Sequence, residues 1–280
     1  MIKLGMALGG GGARGSYQLG VIKALLEEGL LDDLKVISGT SIGSFNACLV
    51  MEKLSFEEMY DIWSEINNDV LYKHAIDGFK TNRLGLFDQT KMYEILKTKS
   101  NPLEIVKSDI KGYVAACDIG PNGLFNQLNR KHMRSVLLHL NESRDPHRMV
   151  LASSSIPIIF GATEIDGTYY VDGGMLNMLP IDALEKEECN LMIVVGLSKN
   201  NKISQNNPDS LIIDFSPKNN ISQTPIGILD FSKENLTDRI TMGYETAKEI
   251  IADLKTDGII NNGKWSLSES GIYSKKELLE

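Results

Sequence analysis

Two short apolar runs, each ending in glycine and each followed by apolar residues at helical spacing, occupy the first fifty positions. Residues 2 to 8 read as a strand and "GGGGARG" as a loop. "SYQLGVIKALLEEG" reads as a helix in which Leu19, Ile22, Leu25 and Leu26 share a face and Gly29 supplies the stop. The second unit repeats the plan, with "LKVISG" as a strand, "TSIG" as a tight turn and "SFNACLVMEK" as a helix. Successive strand, glycine turn and helix units predict an α/β fold with a parallel sheet and helices on its faces. Ligands of such folds gather at the carboxyl ends of the strands.

Further along, Ser55 and Glu58 form a capping-box pattern that starts a helix running to about residue 67. Residues 70 to 88 show no sustained period and read as a long loop, a candidate cap over a site. Thr90 opens the helix "TKMYEILKTK", "GYVAACDI" reads as a strand, and "NRKHMRSVLLHL" as a helix. "RMVLASSS" reads as a helix ended by Pro157. "ATEIDGTYYVDGG" predicts a hairpin turning at Asp166-Gly167. A short helix over 181 to 188, buried strands "LMIVVGL" and "LIIDFSP", and an amphipathic helix in "NLTDRITMGYETAKEIIADLK" complete the pattern. No internal repeat or low-complexity segment interrupts it.

Composition narrows the function classes. A chain of 280 residues with 42% hydrophobic content suits one large domain. A net charge of -8 and the lack of a dense basic run argue against a nucleic-acid binder. They also predict weak electrostatic attraction to anionic bilayers, leaving membrane contact to apolar surface or an activator. The longest apolar run falls far short of the roughly 20 residues of a spanning helix. The N-terminus reads as a strand and not as a signal peptide. Cys48, Cys117 and Cys189 are widely spaced in apolar contexts, as expected of buried thiols in a reducing cytoplasm.

The chemistry concentrates at the glycine turns. Gly39-Thr40-Ser41-Ile42-Gly43 is a G-x-S-x-G pattern at a strand-to-helix junction, which pushes the Ser41 hydroxyl out above the sheet. The plainer reading is a turn with an N-capping serine. The loop from Gly9 to Gly15 also has two readings. As Gly10-x-Gly12-x-x-Gly15 it is a dinucleotide fingerprint, the mark of a nucleotide-binding module or oxidoreductase. As a run of N–H donors beside a nucleophile it is an oxyanion hole, where each donor contributes roughly 10² to 10³ in rate. The fingerprint needs an acidic residue at the end of the second strand, and that place holds Ser38-Gly39, which favours the oxyanion hole. His74, His132, His139 and His147 fit no triad order with Ser41, and the last three read as surface positions. Asp172 ends a predicted strand and is followed by Gly173 and Gly174, an arrangement that exposes a carboxylate. Loop, elbow and Asp-Gly-Gly together fit a Ser-Asp dyad. An aspartate with an ordinary pKa of about 3.9 is a weak base for serine, so burial beside Ser41 is expected to raise it. Met175, Leu176 and Met178, with the loop around Phe79 and Phe87, are candidates for an acyl groove, although core packing suits most of them better.

Four motifs in order, "GGGARG" with "QLGVIKAL", "GTSIG", "ASSSIP", and "DGG" with "NMLP", resemble the patatin-like phospholipase family and cover about residues 4 to 200. The likeness is to its compact bacterial members. It implies a three-layer α/β/α fold with a mainly parallel central sheet. The catalytic domain would cover residues 1–255, with 53–100 as a variable helical or loop cap and 256–280 as a C-terminal extension. It also implies an acyl hydrolase of lipid esters with Ser41 as nucleophile, Asp172 as its partner, and the amides of Gly10, Gly11 and Gly12 as oxyanion donors. Arg14 would orient that loop or an anionic head group, while Gly39, Gly43, Gly173 and Gly174 shape the elbow and the Asp turn. Neither metal nor cofactor is implied; the partner is a lipid ester, met in the cytoplasm or at the membrane periphery.

Overall fold

The computed structural model describes residues 1–68, 90–121, 127–157, 159–201, 203–221, 225–267 and 270–274. The two opening units form as expected: β1 (Leu4–Leu8), a 3-10 turn (Gly12–Gly15), α1 (Ser16–Glu27), β2 (Leu34–Thr40) and α2 (Ile42–Met51). Then come α3 (Phe56–Glu65), α4 (Thr90–Lys99), α5 (Pro102–Lys107), β3 (Lys111–Gly120), β4 (Arg134–His139) and α6 (Pro146–Ser153). The hairpin strands β5 (Thr163–Ile165) and β6 (Thr168–Asp172) precede α7 (Ile181–Lys186), β7 (Leu191–Val195), β8 (Leu211–Asp214) and α8 (Lys233–Thr256). Nine strands make one sheet in the order β11-β8-β7-β1-β2-β3-β6-β5, with β4 also on β3, where β11 is Gly271–Ser274. Six of these run parallel; β4, β5 and β6 run against β3 or one another. The stretch after residue 255 thus adds an edge strand to the sheet, with Tyr273 opposite Ile213.

The register at β3 brings the chemistry together. β4 pairs with Tyr113 through Asp118 and so takes one edge of β3 along this length. β2 and β6 therefore share the other edge end to end. β2 finishes with Thr40 opposite Ala115, and β6, arriving from the other direction, finishes with Asp172 opposite Ala116. The residue after Thr40 and the last residue of β6 face each other across this seam. β1 lies beside β2 on the far side, with Leu8 opposite Gly39, so the glycine loop and the serine elbow leave the sheet side by side.

Alternate residues of the strands feed two cores. Met6, Leu8, Ile37 and Val114 pack with α1, α2, α3 and α8, whereas Ala7, Val36 and Tyr113 pack with α7. This is the period-2 signature of a sheet covered on both faces. The capping box forms as expected: the Glu58 amide donates to Ser55 Oγ at 3.2 Å and the Ser55 amide to Glu58 Oε2 at 2.8 Å. Asp166 and Gly167 both take positive φ, 48° and 79°, as the tight hairpin requires.

One expected helix is a strand. "NRKHMRSVLLHL" becomes a 3-10 turn, Arg130–His132, followed by β4. Leu137 and Leu138 go to opposite cores, as a strand demands and a helix face does not. The open edge of β3 supplies the backbone partners, which local periodicity does not register. The loop expected over 70–88, with Phe79 and Phe87, lies outside the described residues. Among the described residues no helix is long and apolar enough to cross a membrane.

Candidate active site

Ser41 sits between β2 and α2 with φ 54° and ψ -124°, a conformation that costs a non-glycine residue on the order of 1–3 kcal/mol. Neighbours hold it there. Its amide donates to Ser153 Oγ at 2.9 Å, Ser153 in turn donates to the Ala115 carbonyl at 2.6 Å, and Ser44 Oγ donates to the Ser41 carbonyl at 2.5 Å. The two elbow glycines are steric requirements: a Cβ at Gly39 would lie 2.4 Å from the Gly43 carbonyl oxygen, and one at Gly43 would lie 2.2 Å from that of Leu8. Ser41 also occupies the N-cap of α2, where the helix presents its positive end to developing negative charge.

Across the seam, the carboxylate of Asp172 lies close enough to the Ser41 hydroxyl for that group to oppose the rise in its pKa. It also accepts the Gly174 amide at 2.7 Å, and the Asp172 amide donates to the Ser155 carbonyl at 2.9 Å. Asp172 is 6% exposed. Burial pushes its pKa up to about 6, against the opposing pull of the Ser41 hydroxyl and the Gly174 amide. A base of that strength suits proton transfer near neutral pH far better than an exposed aspartate does.

The glycine loop departs from expectation in one respect. The Gly10 amide is committed to the Met178 carbonyl at 3.0 Å, so Gly11 and Gly12, at the start of the 3-10 turn, are the amides left for an oxyanion. Gly10 instead provides clearance, since a Cβ there would lie 3.3 Å from Ser41 Cβ. Arg14 Nε donates to the Gly11 carbonyl at 3.2 Å, a bond within the loop itself. Desolvation lowers the pKa of this guanidinium. Residues without an assigned role in the sequence reading lock the loop from beneath. Gln18 donates to the carbonyls of Gly9 and Val195 at 2.8 and 3.0 Å. Asn46 donates to Gly15 and Gln18 at 3.0 and 2.8 Å, and Trp63 Nε1 to Asn46 at 2.8 Å. Buried polar side chains of this kind must find partners, and here the partners are the loop's own carbonyls.

Ser41 and Gly12 open onto a narrow apolar cavity with Ile42, Met92, Ile156, Phe160, Leu229 and Phe231 on its walls. Ser154 lines it as well, and its buried Oγ has no hydrogen-bond partner among the described residues. Part of the wall is the strap 225–231, which crosses the glycine loop: the Ile228 carbonyl oxygen would lie 2.1 Å from a Cβ on Gly12, whose φ is +57°. Arg239 of α8 ties strap to loop. At 4% exposure it donates to the carbonyls of Ala13, Asp230 and Gly227 at 3.2, 2.9 and 3.2 Å. Arg239→Met strands these three acceptors, and we expect it to lower the unfolding free energy by about 2–4 kcal/mol, read from urea denaturation. A midpoint equal to wild type would show that the bonds contribute nothing net.

Two of the three histidines read as surface positions, His139 and His147, are placed otherwise. His147 is 1% exposed and hydrogen-bonds Ser100 at 2.8 Å; Pro146 opens α6 and turns His147 inward. His139 stacks on Tyr113 with centroids 4.6 Å apart. His132 is exposed, and His74 lies outside the described residues. The three cysteines are free and buried, and burial pushes the Cys117 and Cys189 thiols up to about 11 and 12. Met175 joins a small core cluster, but Leu176 and Met178 stand 43% and 48% exposed. Among the described residues no group of three or more His, Cys, Asp or Glu side chains is placed to hold a metal ion.

The sequence model of the family described as patatin-like phospholipase matches residues 6–185. A lysophospholipase nte1 of Aspergillus terreus is 53% identical over 57 residues, 20% of this chain and 4% of that protein. The lysophospholipase NTE1 of Debaryomyces hansenii is 26% identical over 221 residues, which is 74% of this chain and 13% of the relative. The chain thus matches only a small part of these long proteins. The uncharacterized protein R571 of Acanthamoeba polyphaga mimivirus is 24% identical over 285 residues, 97% of this chain and 92% of that protein. Among solved structures, VipD from Legionella pneumophila aligns at 14% identity and a TM-score of 0.49 over 90% of this chain and 67% of its own.

Proposed function

The chain belongs to the patatin-like phospholipase family, and from that premise we propose that it is a serine acyl hydrolase cleaving fatty-acyl esters of lipids. The observation that carries this reading is the buried Asp172 carboxylate close to a strained, helix-capping Ser41 beside an apolar cavity. Ser41 Oγ attacks the ester carbonyl carbon while Asp172 takes its proton. The oxyanion that forms is met by the amides of Gly11 and Gly12 and by the positive end of α2. Collapse expels the alcohol, which takes the proton back from Asp172 and leaves an acyl-Ser41 ester. Asp172 then draws a proton from water, which attacks the acyl carbonyl; collapse breaks the bond to Ser41 Oγ, which takes that proton back from Asp172 as the fatty acid is released. The fatty-acyl chain lies in the cavity walled by Ile42, Phe160 and Phe231. The names of the fungal relatives, which are lysophospholipases, support an acyl ester of a glycerolipid as the substrate class.

A fluorophosphonate probe and a panel of lipid esters read by mass spectrometry test the proposal. Wild type is expected to carry the probe on Ser41 and to release fatty acid. Ser41→Ala is expected to lose labelling and at least ~10³-fold of the hydrolysis rate. Hydrolysis by Ser41→Ala at the wild-type rate would remove Ser41 from the mechanism.

A further inference from the structure

The seam that joins nucleophile and base is rimmed by side chains the reaction does not use. Leu128, Leu176 and Met178 are 61%, 43% and 48% exposed. Two of them belong to the loop that leaves Asp172, and Met178 stands over the dyad: its sulfur would lie 3.0 Å from a Cβ on Gly10 and 3.2 Å from one on Gly174. Leu128 adjoins the 3-10 turn Arg130–His132, which Arg130 ties to the same loop by donating to the Met175 carbonyl at 2.7 Å. Arg130 and Lys131 are exposed, and neither is paired with a carboxylate among the described residues. Of the acidic groups nearby, Asp118 is paired with Arg134 at 2.6 Å, and Asp182 accepts from the Asn177 amide at 2.8 Å.

From this we infer that the edge formed by Leu128, Arg130, Lys131, Leu176 and Met178 docks on the surface of an anionic lipid bilayer. The inference rests on the acyl-hydrolase reading for its purpose, not for its test. Protruding apolar side chains on turns, with exposed cations between them, match a surface of acyl chains beneath anionic head groups; they do not form a groove for a protein segment. The chain as a whole, with a net charge of -8, is repelled by such a surface, so the exposed cations of this edge favour approach in one orientation.

The experiment uses full-length Ser41→Ala, which keeps the surface and removes turnover. It is sedimented with vesicles of phosphatidylcholine alone and of an equal mixture of phosphatidylcholine and phosphatidylglycerol. Binding is expected to the mixed vesicles only and to weaken with salt. Arg130→Glu/Lys131→Glu is expected to lower partitioning at least ~10-fold, and Leu128→Asp to lower it with the charges intact. Lys264→Glu, an exposed charge reversal on β10 (Lys264–Trp265), should leave binding unchanged. In a Ser41 background the Arg130, Lys131 and Leu128 variants should hydrolyse a soluble short-chain ester at the wild-type rate, which also confirms folding. Equal binding to both vesicle types, binding insensitive to Arg130→Glu/Lys131→Glu, or no sedimentation at all overturns the inference. Failure of wild type to hydrolyse the soluble ester would instead overturn the functional reading.

Discussion

Asp172→Asn is expected to abolish ester hydrolysis while making the protein more stable at neutral pH. Asparagine keeps the shape and still accepts the Gly174 amide, but it cannot take the Ser41 proton, so a rate loss of at least ~10³-fold is expected. The stability gain follows from burial. Because the folded carboxyl titrates at about 6 and not at its ordinary 3.8, the folded state binds a proton that the unfolded chain has already released between those values. Ionised Asp172 therefore costs nothing below the unfolded value. The cost grows as pH rises from 3.8 to about 6 and is complete above that, at about 3 kcal/mol. The variant should gain up to this amount at pH 7 and match wild type near pH 3.5. Urea denaturation at the two pH values checks it; a difference that does not depend on pH would show that the carboxylate is not the cause. The same titration governs the wild-type rate. Only the ionised carboxylate is a base, so kcat/KM on a soluble ester should fall tenfold per pH unit below about 6 and level off above it. An acid limb centred near 4 would mean that Asp172 is solvated during turnover.

Gly43→Ala is expected to damage both folding and chemistry. The new methyl would stand 2.2 Å from the Leu8 carbonyl oxygen and 2.7 Å from that of Gly9, and both contacts are backbone atoms that no rotamer change relieves. α2 must retreat from β1, at a cost of about 3 kcal/mol or more. The retreat carries Ser41 away from Asp172 and from the loop amides, where a displacement near 1 Å is worth on the order of 10² in rate. Thermal melting and fluorophosphonate labelling of the surviving folded fraction separate the two effects. A melting temperature equal to wild type would mean that the elbow has slack the structure does not show.

The parts of this molecule that could be read from the chain are those in which local pattern and global fold agree. Strand, glycine turn and helix recur twice with matching periods, so β1, β2 and the helices after them are legible, as is the placing of Ser41 after β2 and of Asp172 at the end of β6. What was not legible depends on partners distant in sequence. β4 is a strand because β3 has an edge to fill, and His147 is buried because α6 turns it toward Ser100. Gly10 loses its place among the oxyanion donors to a carbonyl 168 residues away, Met178. "ASSSIP" was visible as a motif but not as a brace. Only the fold shows Ser153 holding the amide of Ser41 while the Ser155 carbonyl holds that of Asp172. Arg239 carried no signal at all, since an arginine in an amphipathic helix ordinarily faces solvent.

On the acyl-hydrolase reading, the end-to-end meeting of β2 and β6 on one edge of β3 makes hydrolysis a report on the register of the fold. No covalent element links nucleophile to base at short range; β3 serves as the ruler that spaces them. A slip of β6 by a single residue would turn the Asp172 side chain to the opposite face of the sheet and leave Ser41 without a base. On the acyl-hydrolase reading, a chain whose β5–β6 hairpin is not docked on β3 has no base beside Ser41.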